Sequence, residues 1–409
     1  MIEIYLFILI LIVLIPILCL LFHFKKKYHL VLLLFFLVSV VVSISHYYYE
    51  FFPIKGIAER YHNQAIEICN DQNTAAVIVK NFMSSHVFYL SITIVPIYLL
   101  FEPALVYLKI INLVYSLITI FNIYRIGVLL YGNKKISLLA SIIFILSPYI
   151  LLALGSGTRD PVVLCFLTQF FYLFIRLINN KYNLFRIFLT FLCFLAIYIL
   201  RPELGALLAA SVFILFVWFV FKSKSYNFYN YVLKNFFLFS LILFLIASGL
   251  YIIKYKPHYT GIGDNISLSR IEARRNPHGN SAYLQKYDYR KIEDIIVSYP
   301  ASVFYFLFSP MPWQVNNTKL LFGQIDSLYF LMIFLCSLSG FRYLFRNHRY
   351  VFYFIVLYLI LGIFSSSLMQ ANIGAAMRHR LMFSFLFYIL AAPKVLMIVN
   401  KFKKGLIRL

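Results

Sequence analysis

At 409 residues, 63% hydrophobic and only 12% charged, the chain is too apolar for a soluble domain and reads as a polytopic membrane protein. A net charge of +23 suggests nucleic acid at first sight, but the basic residues are spread over many short turns. Topology and contact with anionic lipid headgroups account for them, so membrane lipid is an expected partner and nucleic acid is not.

A span needs about 20 mainly apolar residues. Eleven segments qualify, near 3–23, 29–47, 104–130, 136–155, 161–178, 185–200, 204–221, 235–254, 326–343, 350–367 and 381–399. The expected fold class is therefore all-α, a transmembrane helix bundle of about 11 spans with two long extracytoplasmic loops. Its parts are two N-terminal spans (1–47), a first loop with an interfacial helix (48–103), core membrane helices (104–254), a second loop with an interfacial helix (255–324), and C-terminal spans with a basic tail (325–409).

The turns between spans alternate in charge. One set, around 25–27, 133–135, 176–186, 222–224, 342–349 and 401–408, carries Lys and Arg without Asp or Glu. The other holds Glu50, Glu59, Glu67, Asp71, Asp160, Glu203, Asp264, Glu272, Asp288, Glu293, Asp294 and Asp326. The positive-inside rule places the first set, and with it the C-terminus, in the cytoplasm of a plasma (inner) membrane protein. Eleven crossings then put the N-terminus outside, where Met1-Ile2-Glu3 carries no base and argues against a cleaved signal peptide. The carboxylates, and with them the expected chemistry, face outward. The five cysteines (Cys19, Cys69, Cys165, Cys193, Cys336) mostly sit in spans without paired spacing. They read as packing residues, with no disulfide framework and no metal site.

In chain order, the first long loop has a polar stretch, 59–73, then an apolar one, 87–101. Making the latter a span would invert every later turn, so an interfacial or re-entrant helix broken at Pro96 is expected. Within the polar stretch Glu59, His62 and Asn63 share one face of a helix. A carboxylate beside a His suits a general base, but a solvated loop helix has the same composition. Further on, Gly155-Ser156-Gly157-Thr158-Arg159-Asp160-Pro161 joins two spans. Arg159 and Asp160 either pair locally and cap the helix starting at Pro161, or Asp160 faces an outer cavity. Arg201-Pro202-Glu203 is either an orienting turn or a phosphate grip, since Arg holds phosphate bidentately and Lys does not.

The second long loop is basic in its first half, where Arg274 and Arg275 are candidates for recruiting substrate. Its apolar second half, 300–313, is too short to cross and is expected to lie flat in the outer interface with Trp313 at headgroup level. Asn372 to Arg380, containing Arg378, His379 and Arg380, is the densest polar cluster between late spans. Basic residues on the outer side call for an anionic ligand, or else snorkel to lipid phosphates. The chain has no Gly-rich nucleotide loop, Asp-x-Asp, His-Glu-x-x-His or Gly-x-Ser-x-Gly. Soluble nucleotide-sugar chemistry is not expected; Arg, carboxylates and aromatics on one face suit a lipid-linked anionic substrate.

Several of these features occur in a familiar order. Glu59, Tyr61 and Ala65 form Glu-x-Tyr-x-x-x-Ala before an apolar juxtamembrane helix. A span with Asn112, then Tyr131-Gly132-Asn133-Lys134-Lys135, a span ending in Ser147-Pro148, and Asp160 follow. Over roughly 47–221 this resembles the N-terminal module of GT-C-fold membrane glycosyltransferases, the group of protein O-mannosyltransferases and aminoarabinose transferases. The resemblance implies a sugar taken from a polyprenyl phosphate or diphosphate on the outer side, with Glu59 and Asp160 matching the first- and second-loop acids. Arg60 stands where the family carries a second acid. The C-terminal half, with Phe308 to Trp313 and the Arg-His-Arg cluster, looks like relatives from bacterial surface-polysaccharide clusters; size and span number also resemble O-antigen polymerases.

The expected function is thus transfer of a sugar or oligosaccharide from a polyprenyl-(di)phosphate-linked donor during O-antigen or capsule assembly. Glu59 or Asp160 is the expected catalytic base. Arg159, Arg201, Arg274, Arg275, Arg378, His379 and Arg380 are expected to bind phosphate, and His62, Glu203, Trp313 and Asn372 other parts of the substrate. No cofactor is demanded; three scattered acids leave room for a divalent cation without requiring one. The partners are the lipid-linked glycan and membrane lipid, with other polysaccharide-assembly proteins a further open class. The competing class is a lipid-linked oligosaccharide flippase, which should carry charges along a central path and repeat symmetry.

Overall fold

The computed structural model describes residues 57–70, 88–155, 157–179, 183–222, 283–284, 287–288, 291–315 and 318–406. The expected spans 3–23, 29–47 and 235–254, together with Arg274 and Arg275, lie outside the described residues. Among the described residues every regular element is helical: α1 (Ile57–Asn70), α2 (Phe88–Leu100), α3 (Leu105–Tyr131), α4 (Lys134–Ile145), α5 (Pro148–Gly155), α6 (Asp160–Ile178), α7 (Leu184–Leu200), α8 (Pro202–Lys222), α9 (Ile292–Phe308), α10 (Thr318–Asn347), α11 (Arg349–Met369) and α12 (Ile373–Leu406), with a 3-10 turn at Pro312–Gln314.

Among the described residues five stretches are long and apolar enough to cross a membrane: Tyr107–Tyr131, Asp160–Ile178, Gly323–Asn347, Arg349–Met369 and Ile373–Lys401. They mark a multi-pass helical membrane protein. α7, at 17 residues, is about 25 Å long and falls short of a hydrocarbon core of about 30 Å. The chain forms two compact units. Unit 1 comprises Met1–Tyr172 and Ile199–Arg201; unit 2 comprises Leu173–Tyr198 and Pro202–Leu409.

In unit 1, α3 and α4 form an antiparallel hairpin whose turn is written in the local sequence. Gly132 takes the left-handed conformation (φ 62°) that ends α3, and its N–H bonds to the Val128 carbonyl. Asn133 then caps α4, its side-chain oxygen accepting from the amides of Lys135 and Ile136. The expected single helix over 136–155 is instead two. Pro148 has no N–H and disfavours helical backbone at Ser147, so the chain breaks there and Ser147 Oγ accepts from Ile150 N at 3.4 Å to start α5.

The opposite correction applies at Pro96. α2 runs through it unbroken to Leu100, with the ring on the exposed side. α6 runs parallel to α3, joined by Asn112 Nδ2 to the Thr158 carbonyl at 2.7 Å and by Asn122 Nδ2 to Thr168 Oγ1 at 3.4 Å. Arg125, a cation inside the apolar α3, lies 3.6 Å above the centroid of the Tyr172 ring.

In unit 2, α10 and α12 run parallel, since Gly323 packs by Met377 and Gly340 by the Leu390 carbonyl. α11 runs back antiparallel beside them, with Gly362 against the Phe383 ring. In lipid, apolar burial supplies little driving force, so close backbone approach at small residues carries the association of such helices. α9 begins earlier than the apolar segment 300–313 implies, and it does not end on the bundle surface. The Phe308 ring lies 5.4 Å from Phe334 and the Phe306 ring 6.3 Å from Phe383. Both partners are well inside the apolar stretches of α10 and α12. The end of α9 is therefore packed among these helices.

Candidate functional site

Unit 1 gathers its functional candidates around the turn that enters α6. Gly157 makes this possible: a Cβ there would sit 2.8 Å from Ala58 Cβ and 3.1 Å from Leu108 Cδ2. Only glycine admits the first turn of α1 and the start of α3 so close. The Thr158 carbonyl is then taken by Asn112, and Val163 N bonds back to the Arg159 carbonyl at 3.1 Å, which opens α6. Asp160 stands in the first turn of α6, where a negative charge complements the helix dipole.

Asp160 is 3% exposed and Arg201 only 1%, and the Arg201 Nη2 donates to Asp160 Oδ1 in a buried ion pair. Arg159 reaches the same place from the other side, its Nη1 donating to the Leu200 carbonyl at 3.0 Å, at the C-terminus of α7. Two arginines thus stitch the end of α7 to the start of α6. The ion pair to Asp160 comes from Arg201, 41 positions away, and not from the neighbouring Arg159 considered in the sequence.

The stitch leaves a remainder. Arg201 Nε and Nη1 are buried and make no hydrogen bond among the described residues. Buried guanidinium donors without acceptors are costly, so a group with oxygen acceptors is the natural complement at this position.

The other unit 1 candidates sit differently. Glu59 is exposed, one residue after Ala58 and so at the rim of this turn, and takes part in neither buried ion pair. His62 faces α2: its Nδ1 is 2.6 Å from Tyr98 Oη, and Tyr98 donates to the Ala104 carbonyl at 3.1 Å. Since Tyr98 spends its single proton on Ala104, His62 Nδ1 is the donor in that pair. Glu59 and His62 share a helix, as expected, but His62 is engaged in packing α1 on α2.

Unit 2 holds Glu203, Trp313, Asn372, Arg378, His379 and Arg380. Because α12 begins at Ile373, the Arg-His-Arg cluster is helical and not a loop between spans. Consecutive helical residues point about 100° apart, so the three side chains part company. Arg380 turns inward at 3% exposure and donates through Nη2 to Asp326 Oδ2 at 3.0 Å and through Nη1 to the carbonyls of Leu307 and Ser309. Ser327 Oγ lies 3.3 Å from Nη2, and the guanidinium lies over the Phe330 ring. These are carbonyls freed by the end of α9, so Arg380 caps this helix and Asp326 balances its charge.

Arg378 and His379 are half-buried, and Gln370 Nε2 donates to His379 Nε2 at 3.4 Å. Asn372 caps α12, its Oδ1 accepting from Gly374 N at 2.9 Å. Trp313 is 67% exposed, and its Nε1 reaches Tyr305 Oη at 3.4 Å; Tyr305 in turn stacks on Tyr283. Glu203 is exposed in the first turn of α8.

Asp326, Tyr98 and Ser327 were not among the sequence candidates. Asp326 read as one more outward boundary charge, and no spacing rule links it to Arg380. Among the described residues no group of three or more His, Cys, Asp or Glu side chains converges as a metal site. No protein-family model matches the chain, and no curated protein matches it either.

Proposed function

We propose that the protein is a membrane glycosyltransferase or polymerase that moves a sugar or oligosaccharide from a polyprenyl-(di)phosphate-linked donor, on the outer side of the plasma membrane, during cell-surface polysaccharide assembly. The supporting observation is Arg201, buried at the ends of apolar helices with Nε and Nη1 unbonded beside the Asp160 carboxylate. A guanidinium so placed suits a phosphate held at a membrane boundary.

In this reading a carboxylate, Asp160 or Glu59 at the rim, takes the proton of the acceptor hydroxyl. The acceptor oxygen forms a bond to the anomeric carbon. The bond from that carbon to the phosphate oxygen breaks, and the phosphate leaves with the electron pair, neutralised by Arg201. Arg159 orients Arg201 by fixing the Leu200 carbonyl beside it. Arg380 has a structural part here, since its contacts hold α9.

The test is transfer of labelled sugar from polyprenyl-phosphate and polyprenyl-diphosphate donors by the purified chain in proteoliposomes. Arg201→Gln and Asp160→Asn should cut transfer at least a hundredfold while the protein remains folded, the loss typical of one charge-stabilising group. Movement of the intact lipid-linked glycan across the bilayer, with no bond broken, would sink the reading and put a flippase in its place.

A further inference from the structure

The end of unit 2 opposite the Arg380 cluster carries a different assembly of charges. Arg342 and Arg346 stand four residues apart on the last turns of α10 and are both exposed, as is Arg349 at the start of α11. Lys401 is exposed on α12, which runs parallel to α10 and ends on the same side. None of these four cations takes part in an ion pair among the described residues. Nor does the chain supply one nearby in sequence: no Asp or Glu follows Asp326.

Aromatic residues border the cations. Tyr343 is 37% exposed and Tyr350 42%, and the Trp218 ring lies 6.0 Å from Tyr350 and 4.6 Å from Tyr353. Trp and Tyr at one level, with exposed aliphatic surface on α10 running away from them (Leu328, Met332, Leu335, Leu338), mark the boundary between hydrocarbon and headgroup. Arg342 and Arg346 face outward on one helix side, and Arg349 follows directly after the turn at His348. The basic side chains therefore lie at one end of unit 2, next to an exposed aliphatic stripe.

We propose that this rim of Arg342, Arg346, Arg349 and Lys401 is a binding site for anionic phospholipid headgroups, on the face that the charge distribution assigns to the cytoplasm. The chemistry fits phosphate oxygens: arginine donors in pairs, unneutralised charge, and tyrosine and tryptophan rings to flank an acyl-glycerol backbone. An acidic protein face would match the charge, but it would meet an aliphatic stripe suited to acyl chains. The proposal stands apart from the glycosyl-transfer reading and needs no part of it.

The experiment uses the full chain in detergent, with phosphatidylglycerol and phosphatidylcholine titrated as separate probes and bound lipid counted by native mass spectrometry. The wild-type chain should retain phosphatidylglycerol in preference. R342Q/R346Q/R349Q should weaken that binding on the order of a hundredfold, roughly fivefold for each cation removed. K134Q/K135Q, which removes two exposed lysines from the α3–α4 turn, should leave most of it intact.

Should the triple variant fail to fold, R346Q alone should give the fivefold loss, and salt should weaken wild-type binding. Equal retention of the two lipids by the wild-type chain overturns the proposal. So does an equal loss in K134Q/K135Q, which would reduce the effect to net charge.

Discussion

Removing Arg380 should damage unit 2 more than removing its acidic partner, and the structure sets the order. In Arg380→Met, Asp326 is left as a carboxylate 4% exposed, and the Leu307 and Ser309 carbonyls lose the guanidinium that they accept from. Breaking a buried pair costs about 3–5 kcal/mol. The stranded Leu307 carbonyl adds roughly 1–3 kcal/mol, less whatever relaxation recovers, while the Ser309 carbonyl keeps the Ser327 hydroxyl at 2.6 Å. A total of about 5 kcal/mol or more is expected.

In Asp326→Leu the guanidinium keeps both carbonyls and the Ser327 hydroxyl, so the cost should stay near about 3 kcal/mol. R380M/D326L should be better than the sum of the singles by at least about 2 kcal/mol, because neither charge is then stranded. The assay is reversible unfolding in mixed detergent and denaturing-detergent micelles, followed by tyrosine and tryptophan fluorescence. Additive losses, or a single substitution costing under about 1 kcal/mol, would refute the claim that Arg380 holds the end of α9 in place.

Other expectations follow from local geometry. Gly340→Ala puts a methyl carbon 2.2 Å from the Leu390 carbonyl oxygen, which belongs to the backbone, so α10 and α12 must separate. The loss should reach about 3 kcal/mol, whereas Gly132→Ala, with nothing within 4 Å, should cost only the left-handed strain of about 1–2 kcal/mol. Thermal midpoints in the same detergent would expose a reversed order. Asn133→Ala removes the cap of α4 and should cost about 1 kcal/mol, restored in large part by Asn133→Ser. Burial pushes the Cys69 thiol up from its ordinary value, so at pH 8 its thiolate fraction is lower than that of a free cysteine. Its alkylation, read by peptide mass spectrometry, should be slower and should still climb with pH where a free thiol has levelled off; a rate equal to the free thiol's would contradict this.

Hydrophobic run length located most of the described helices, because a span must be apolar throughout and ends at polar turns. The segments 161–178, 185–200, 204–221 and 350–367 fall on helices within a few residues. What run length misses is where a helix continues beyond its apolar part. α10 and α12 start before their apolar stretches, and so Arg378, His379 and Arg380 proved to be helical.

Prolines gave opposite outcomes. Pro148 breaks a helix and Ser147 caps the turn there, while Pro96 lies on the exposed face of a helix that runs through it. At the candidate site, Asp160 and Arg201 were legible as costly charges at span ends. Their partnership was not, since a contact across 41 residues leaves no mark in local spacing. Nor does any pattern announce that Gly157 serves to admit Ala58.

The two bonds between α3 and α6 join residues separated by the same 46 positions, Asn112 with Thr158 and Asn122 with Thr168. They act as two marks on a gauge. A slide of one helix along the other by a single residue would misalign both marks at once, and an insertion between them would rotate one mark by about 100° off its face. The spacing from Asn112 to Asn122 therefore sets the height of Asp160 against α3.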